Sequence, residues 1–411
     1  MNSRLRICTF AVLAGLVACQ PAADPAPDAA LPQRLEIPAA TGSMAPNLEP
    51  ASDGTLVLSW IEPRGDASAL RYARIDDAGI SESATVITGA GWFVNWADFP
   101  SVVPVTESLW GAHWLVRRPA GGYAYDVHAA ISTDAGRSWS ESFLPHTDDT
   151  DTEHGFVSMF ADGDGLAMVW LDGRKFVNEV SDDVAASGMT LRSATFDAAG
   201  VAMRESLVDE LICDCCQTDV AATPDGAVAV YRDRTVDEIR DVYAARFVDG
   251  RWLPGVPVHR DGWEIPGCPV NGPVIEVHDE RIAVAWFTAA DDKPKVLVAF
   301  SEDGAASFSP PVVVAEGRLH GHVGATFLDD GDLVVSFQRA GKGGGAELML
   351  GRISTEAELT AVVAVPQADR MFGFSVPQLE RLGDDLVLVW TNSTDGEYSI
   401  DGLRFSPAFV R

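Results

Sequence analysis

An aromatic residue closes a short apolar run at Trp60, Trp114, Trp170, Tyr231, Trp286, Phe337 and Trp390, at intervals of 54, 56, 61, 55, 51 and 53 residues. Such a period constrains the fold strongly, because each copy must bury its faces against the copies before and after it. Every copy runs in the same order: a lead-in, an acidic-Gly turn such as Asp53-Gly54 or Asp225-Gly226, the aromatic run, a variable loop and a further apolar run. Residues alternate in character along 283–286 and 386–390, and 227–231 is apolar on both faces, so these runs are expected to be strands. Four short strands per copy at this period imply an all-β chain folded as a β-propeller. With the aromatic strand second in its blade, the third strands are expected at 70–75, 126–131, 190–196, 242–247, 296–301, 348–353 and 399–405. Seven four-stranded blades are expected, or six if the first or last copy is a cap. The last copy has no room for a fourth strand after Phe405. Residues 35–38 are therefore expected to supply it, pairing the two ends of the chain and removing exposed sheet edges.

The N-terminal residues carry Arg4 and Arg6 and then the apolar run 7–17. This run is too short to span a bilayer, and residues 1–18 read as an export signal. Leu16-Val17-Ala18-Cys19 resembles the lipobox of bacterial lipoproteins. That resemblance implies cleavage before Cys19, lipidation of Cys19 and a membrane anchor through its lipid. Gln20, standing where an Asp would retain the chain, implies sorting to the outer membrane, facing either the periplasm or the outside. The alternative is an ordinary secretory signal that contains a Cys. Pro21, Pro25, Pro27 and Pro32 among Ala and Asp make residues 19–34 an extended tether, with one folded domain over 35–411. The chain has 30 basic and 60 acidic residues, a net charge of −30, and loss of Arg4 and Arg6 with the signal brings the balance to −32. Such a charge excludes nucleic acid as a partner. An anionic sugar would need a local arginine cluster acting within a Debye length.

Two copies continue into a sharper pattern, Ser132-Thr133-Asp134-Ala135-Gly136-Arg137-Ser138-Trp139 and Ser301-Glu302-Asp303-Gly304-Ala305-Ala306-Ser307-Phe308. Both resemble the Asp-box, S-x-D-x-G-x-[ST]-[WF], of the BNR-repeat, sialidase-like superfamily. Ser132, Asp134, Gly136, Trp139, Ser301, Asp303 and Phe308 read as structural: the Asp caps turn amides, Gly takes a positive φ and the aromatic ring packs between strands. The resemblance implies that these boxes lie away from the functional face. That face would be built by the links entering each innermost strand and by the loops between second and third strands. A propeller hosts many functions, so the activity must be argued from a site.

The links in question hold Trp92, Trp96, His154, the run Cys213-Asp214-Cys215-Cys216, Cys268, His320, His322 and Met371. An exported protein retains thiols as disulfides, as metal ligands or for redox chemistry. Four cysteines allow three pairings, among which the sequence cannot choose, and a bridge from the run to Cys268 would join adjacent blades. A soft metal, copper(I) or zinc, is the alternative, with Cys213, Cys215, Cys216, Cys268, His154, His320 and His322 as candidate ligands. Residues 213–308 are also similar to a group of bacterial sialidase-like lipoproteins with a C-x-C-C and P-G-C-P-V-N-G-P signature.

In true sialidases three arginines hold the substrate carboxylate, a Glu activates a Tyr nucleophile and an Asp serves as acid and base, with a Phe/Tyr-Arg-Ile-Pro motif early in the domain. The motif is absent, and Arg71-Tyr72-Ala73-Arg74-Ile75 falls in a third strand. The catalytic candidates under this resemblance are Arg232, Arg240 and Asp233, together with the pair Tyr398 and Glu397; Arg174 and Arg339 also follow second strands. Salt-bridged loop fasteners are the competing reading of the Arg-Asp pairs. Two functions result. One is a propeller with a Cys/His/Arg-lined central site that binds a metal, glycan or protein partner without sialidase turnover, and the other is an exo-α-sialidase acting on acidic glycans. The first is favoured.

Overall fold

A computed structural model describes residues 31–178, 187–341, 345–366, 368, 371, 373 and 375–411. The expected signal, Cys19 and the tether up to residue 30 lie outside the described residues. The strands form seven antiparallel sheets arranged as the blades of a ring. The innermost strands, in blade order, are Met44–Pro50, Ser101–Pro104, His154–Asp162, Asp219–Thr223, Val274–His278, Leu319–Phe327 and Gln378–Leu382. All seven expected third strands are present, each with ends within three residues of the sequence reading.

The periodic aromatics explain why the ring forms. Each of the seven is at most 2 % exposed. Each sits in the core cluster shared with the preceding blade, so Trp114 packs with Val57 and Leu70, Trp170 with Val127 and Tyr231 with Leu171. Trp60 of blade 1 packs with Leu382, Val387 and Val389 of blade 7, so the last interface is built like the others. Burying each ring against its neighbour contributes on the order of 2–3 kcal/mol. The acidic-Gly turns join the first two strands of a blade. At Gly226, with φ +144°, an added Cβ would fall 2.0 Å from the Phe247 carbonyl oxygen, so only glycine fits.

Two details differ from the sequence expectation. The closing strand is Gln33–Arg34, paired with Arg404 and Leu403, two residues before the expected 35–38. Leu35 and Ile37 pack into the core between blades 7 and 1, while the Leu35 N–H extends the pairing to the Gly402 carbonyl at 2.9 Å. The fourth strand of blade 2 is reduced to one bridge, Ala129 with Phe143.

The two Ser-x-Asp segments close alike at the end of the ring where third strands finish. Ser132 Oγ accepts from the Gly136 N–H at 2.8 Å, and Asp134 accepts from the Ser138 N–H and hydroxyl at 2.8 and 2.6 Å. Ser301 and Asp303 repeat this with Ala305 and Ser307 at 2.9, 2.9 and 2.6 Å. The links that start innermost strands lie at the opposite end, beside the loops that join second to third strands.

Candidate functional site

At that end, the loop 233–241 of blade 4 clasps both cysteine-bearing links. The Cys213 N–H donates to the Arg232 carbonyl, the Arg240 N–H to Trp263 and the Ile265 N–H to Glu238, all at 2.9 Å. Cys213 and Cys216 form a disulfide, while Cys215 and Cys268 are free thiols. The Cys215 thiol neighbours the Cys268 sulfur. The sulfurs of Cys213, Cys215 and Cys216 all lie within 4.8 Å of one another, and Cys268 of the adjacent link neighbours Cys215. The interaction with the Cys215 thiol, assisted by the charges of Arg240 and Arg234, lowers Cys268 to about 7 against its burial, and the same interaction with burial pushes Cys215 up. Cys268 is the exposed member.

Charged groups ring this cluster. Arg240 places Nη1 3.5 Å from Cys213 Sγ and Nη2 3.0 Å from Glu238. Arg234 places Nη1 between the two Asp214 carboxylate oxygens, at 3.0 and 2.9 Å, and forks onto Glu238 through Nε and Nη2. Glu153 stands in the preceding link, and burial and the charges of Asp98, Asp214 and Cys268 raise it to about 8. Its Oε1 lies 2.8 Å from the Tyr125 hydroxyl, which is 2.7 Å from Asp98 Oδ2. A phenol has one proton to give. One of the two carboxyls must therefore be protonated and donate, consistent with burial raising Asp98 to about 7.

The remaining expected residues fall elsewhere or have other work. Arg232 is 1 % exposed and donates to the carbonyls of Asn271, Arg240 and Phe287 at 2.9, 2.7 and 2.7 Å, with its guanidinium over the Trp263 ring. It is a fastener, with no donor turned to a ligand. Asp233, raised to about 7 by burial and by Asp209 and Asp241, sits in the same clasped loop, and its N–H donates to the Asp241 carbonyl. Tyr398 and Glu397 begin the third strand of blade 7, on the far side of the ring from blade 4, so they form no unit with Arg232 or Arg240. Arg174 forks onto Asp172 at 2.7 Å, and Arg339 pairs with Glu347 in an exposed hairpin. His154 stacks on His146 among aspartates, not among the cysteines. His320 is exposed; His322 is buried against Trp96. Neither belongs to the ligand groups found among the described residues.

The triad Asp98, Tyr125 and Glu153 was not singled out from the sequence. Its only sequence signal was position: Asp98 and Glu153 precede innermost strands and Tyr125 starts a third strand, so all three fall at one end of the ring.

No protein-family model matches the chain, and no curated protein matches it in sequence. Among solved structures it is similar to a protein of unknown function from Dyadobacter fermentans, with a TM-score of 0.53 at 13% identity over 93% of this chain and 99% of that one. A Hadza microbial sialidase gives 0.48 at 10% identity over 90% and 66%, and the endosialidase of phage phi92 gives 0.49 at 8% over 92% and 69%. The neighbours include sialidases. At these identities the likeness concerns the fold alone.

Proposed function

We propose that the protein is an exported, outer-membrane-anchored propeller of the Asp-box type whose mouth binds a soft metal ion, copper(I) or zinc, through Cys215 and Cys268, without sialidase turnover. The observation that supports this reading is the contact between those two thiols beside the Cys213–Cys216 disulfide. Thiolates select copper(I) and zinc over harder ions; Cys268 is already easily deprotonated, and binding of the metal charge would displace the proton that Cys215 holds. Reduction of the disulfide would add two further sulfurs. Asp214 and Glu153 supply negative charge around the cation. The anchor rests on the lipobox-like Leu16-Val17-Ala18-Cys19. A glycan or protein ligand at the mouth belongs to the same reading.

Protein purified without chelator is expected to show two free thiols per chain and to bind one equivalent of copper(I), lost in Cys268→Ser. Absence of metal together with four oxidised cysteines would sink the idea. The exo-α-sialidase reading keeps one specific observation, the Tyr125–Glu153 pair, which has the residue types of a sialidase nucleophile and its activator. Against it, Tyr125 is wholly buried, and Arg232, Arg234 and Arg240 are all committed to protein partners. Release of a fluorescent aglycone from a sialoside by the wild type, abolished in Tyr125→Phe, would establish it instead.

A further inference from the structure

We propose a second metal site, free of sulfur, between blades 2 and 3: His146, His154 and Asp126 bind a divalent cation of borderline softness such as Zn²⁺, Co²⁺ or Ni²⁺. The three ligand atoms lie within 4.8 Å of one another. Asp126 Oδ1 is 3.6 Å from His146 Nε2 and 4.0 Å from His154 Nδ1. Two ligands held at about 2.1 Å from one ion stand roughly 3.0–4.2 Å apart over the usual range of angles. The spacing therefore suits a shared ion and is too long for a hydrogen bond.

Asp148 sets the direction of both rings. Its Oδ1 is 3.1 Å from His146 Nδ1 and its Oδ2 is 3.2 Å from His154 Nε2. A carboxylate accepting the other ring N–H of each imidazole is the usual support of a metal-bound histidine. It leaves the lone pair of His146 Nε2 on the side of Asp126, while His154 Nδ1, which donates to the Tyr125 carbonyl, faces the same carboxylate and gives up that proton when an ion binds. The Tyr125 carbonyl oxygen, 3.4 Å from His154 Nδ1, is a fourth donor there.

An independent observation marks the gap. The His146 side chain is 1 % exposed, and its Nε2 is buried with no hydrogen-bond partner. Its neighbours are satisfied: Asp126 by Arg118 at 3.0 and 3.1 Å, Asp172 by Arg174 and by the Trp170 N–H at 2.9 Å. A buried nitrogen left empty in a bonded network is costly, and an ion at that point removes the cost. Charge argues the same way. Asp126, Asp148, Asp149, Asp151, Asp172 and Glu205 outnumber Arg118, Arg174 and Arg192 in the ion-pair network around the rings. The two imidazoles are stacked at 3.9 Å, so loading requires them to splay until each lone pair turns toward the ion.

The test uses the full chain carrying Cys215→Ser and Cys268→Ser, so the outcome at the thiol site does not bear on it. Titration with Co²⁺ is expected to give one equivalent with visible bands of nitrogen and oxygen ligation and no sulfur-to-cobalt band in the near ultraviolet. His146→Ala, His146→Gln and Asp126→Asn should each weaken binding at least tenfold with an unchanged circular dichroism spectrum, while His259→Ala, in another link, leaves it unchanged. Absence of those bands in the folded Cys215→Ser, Cys268→Ser chain, or binding in both His146 variants equal to that of this parent, overturns the proposal.

Discussion

Arg232 shows how a residue that suggests chemistry is used up by structure. Its three donors satisfy three buried carbonyls, two of them in the next blade, and burial lowers its pKa to about 10 while leaving it charged. Arg232→Met keeps the volume and orphans three acceptors at about 1–3 kcal/mol each, so a loss of at least ~3 kcal/mol is expected. Urea unfolding should show this as a lower midpoint with an unchanged slope. A variant as stable as the wild type would contradict the fastener role. In the sequence, Arg232-Asp233 reads as a salt-bridged fastener or as a catalytic pair, because backbone acceptors at 240, 271 and 287 leave no side-chain signal. The same applies to Asn271 of the P-V-N-G-P segment. Its side chain donates to the Pro269 and His320 carbonyls and accepts from the His322 N–H at 2.7 Å, so this signature residue ties blade 5 to blade 6.

Elements were more legible than residues because burial imposes a period on them. The aromatic strands and third strands stand where alternation and spacing put them, since a one-residue slip would turn their apolar faces outward. Outer strands carry no such constraint. Blade 4 splits its outer strand into Arg251–Trp252 and Val256–Pro257 around Pro254, which has no N–H for the ladder. The Ser-x-Asp turns are the other legible element, and they are testable. Ser132→Ala removes the acceptor of the Gly136 N–H inside a buried turn and should cost about 1–2 kcal/mol, and Ser301→Ala about the same. Both turns are at the end of the ring away from the cysteines. Metal binding and the count of two free thiols should therefore be unaffected, and a change in either would show that the two ends are coupled.

At the scale of the molecule, closure decides what the strand faces mean. Removing residues 31–38 takes away the Gln33–Arg34 strand and uncovers the Glu397–Phe405 edge and the packing of Leu35 and Ile37. Burial of two partly enclosed aliphatic side chains predicts a loss of about 2–3 kcal/mol in thermal or urea unfolding of the truncated chain. An unchanged midpoint would mean that the ring closes through Trp60 alone.

Closure also creates an environment that nothing in the linear sequence shows. Glu49, Glu276 and Glu380 pair with Val57, Ala283 and Val387, each three residues before the aromatic of its blade, so register sets all three at one level. Asp219 pairs with Val230, one residue before Tyr231, and stands at the next level. In a flat reading of alternating strands these carboxylates belong to the solvated face, but in the closed ring they line a central cavity of 410 Å³. Burial raises Glu49 to about 7 and Asp219 to about 6, and burial with the charges of the others raises Glu276 and Glu380 well above the carboxylate range. Between the unfolded and folded pKa values the native state holds more protons than the unfolded chain, so stability falls as pH rises. For Glu49 and Asp219 this decline runs from about pH 4 to about pH 7, and for Glu276 and Glu380 it continues higher. Asp148 works in the opposite sense. Burial pushes it up, but hydrogen bonds from His146, His154 and Thr150 hold it below the usual range, so its contribution is present at neutral pH and is lost only in acid. The thermal midpoint should therefore be higher at pH 5 than at pH 8. Glu276→Gln with Glu380→Gln should flatten that decline and raise the pH 8 midpoint by roughly 3 °C or more. A wild-type midpoint that rises from pH 5 to pH 8, or a double variant with the same profile, would show that these carboxylates are already compensated where the ring brings them together.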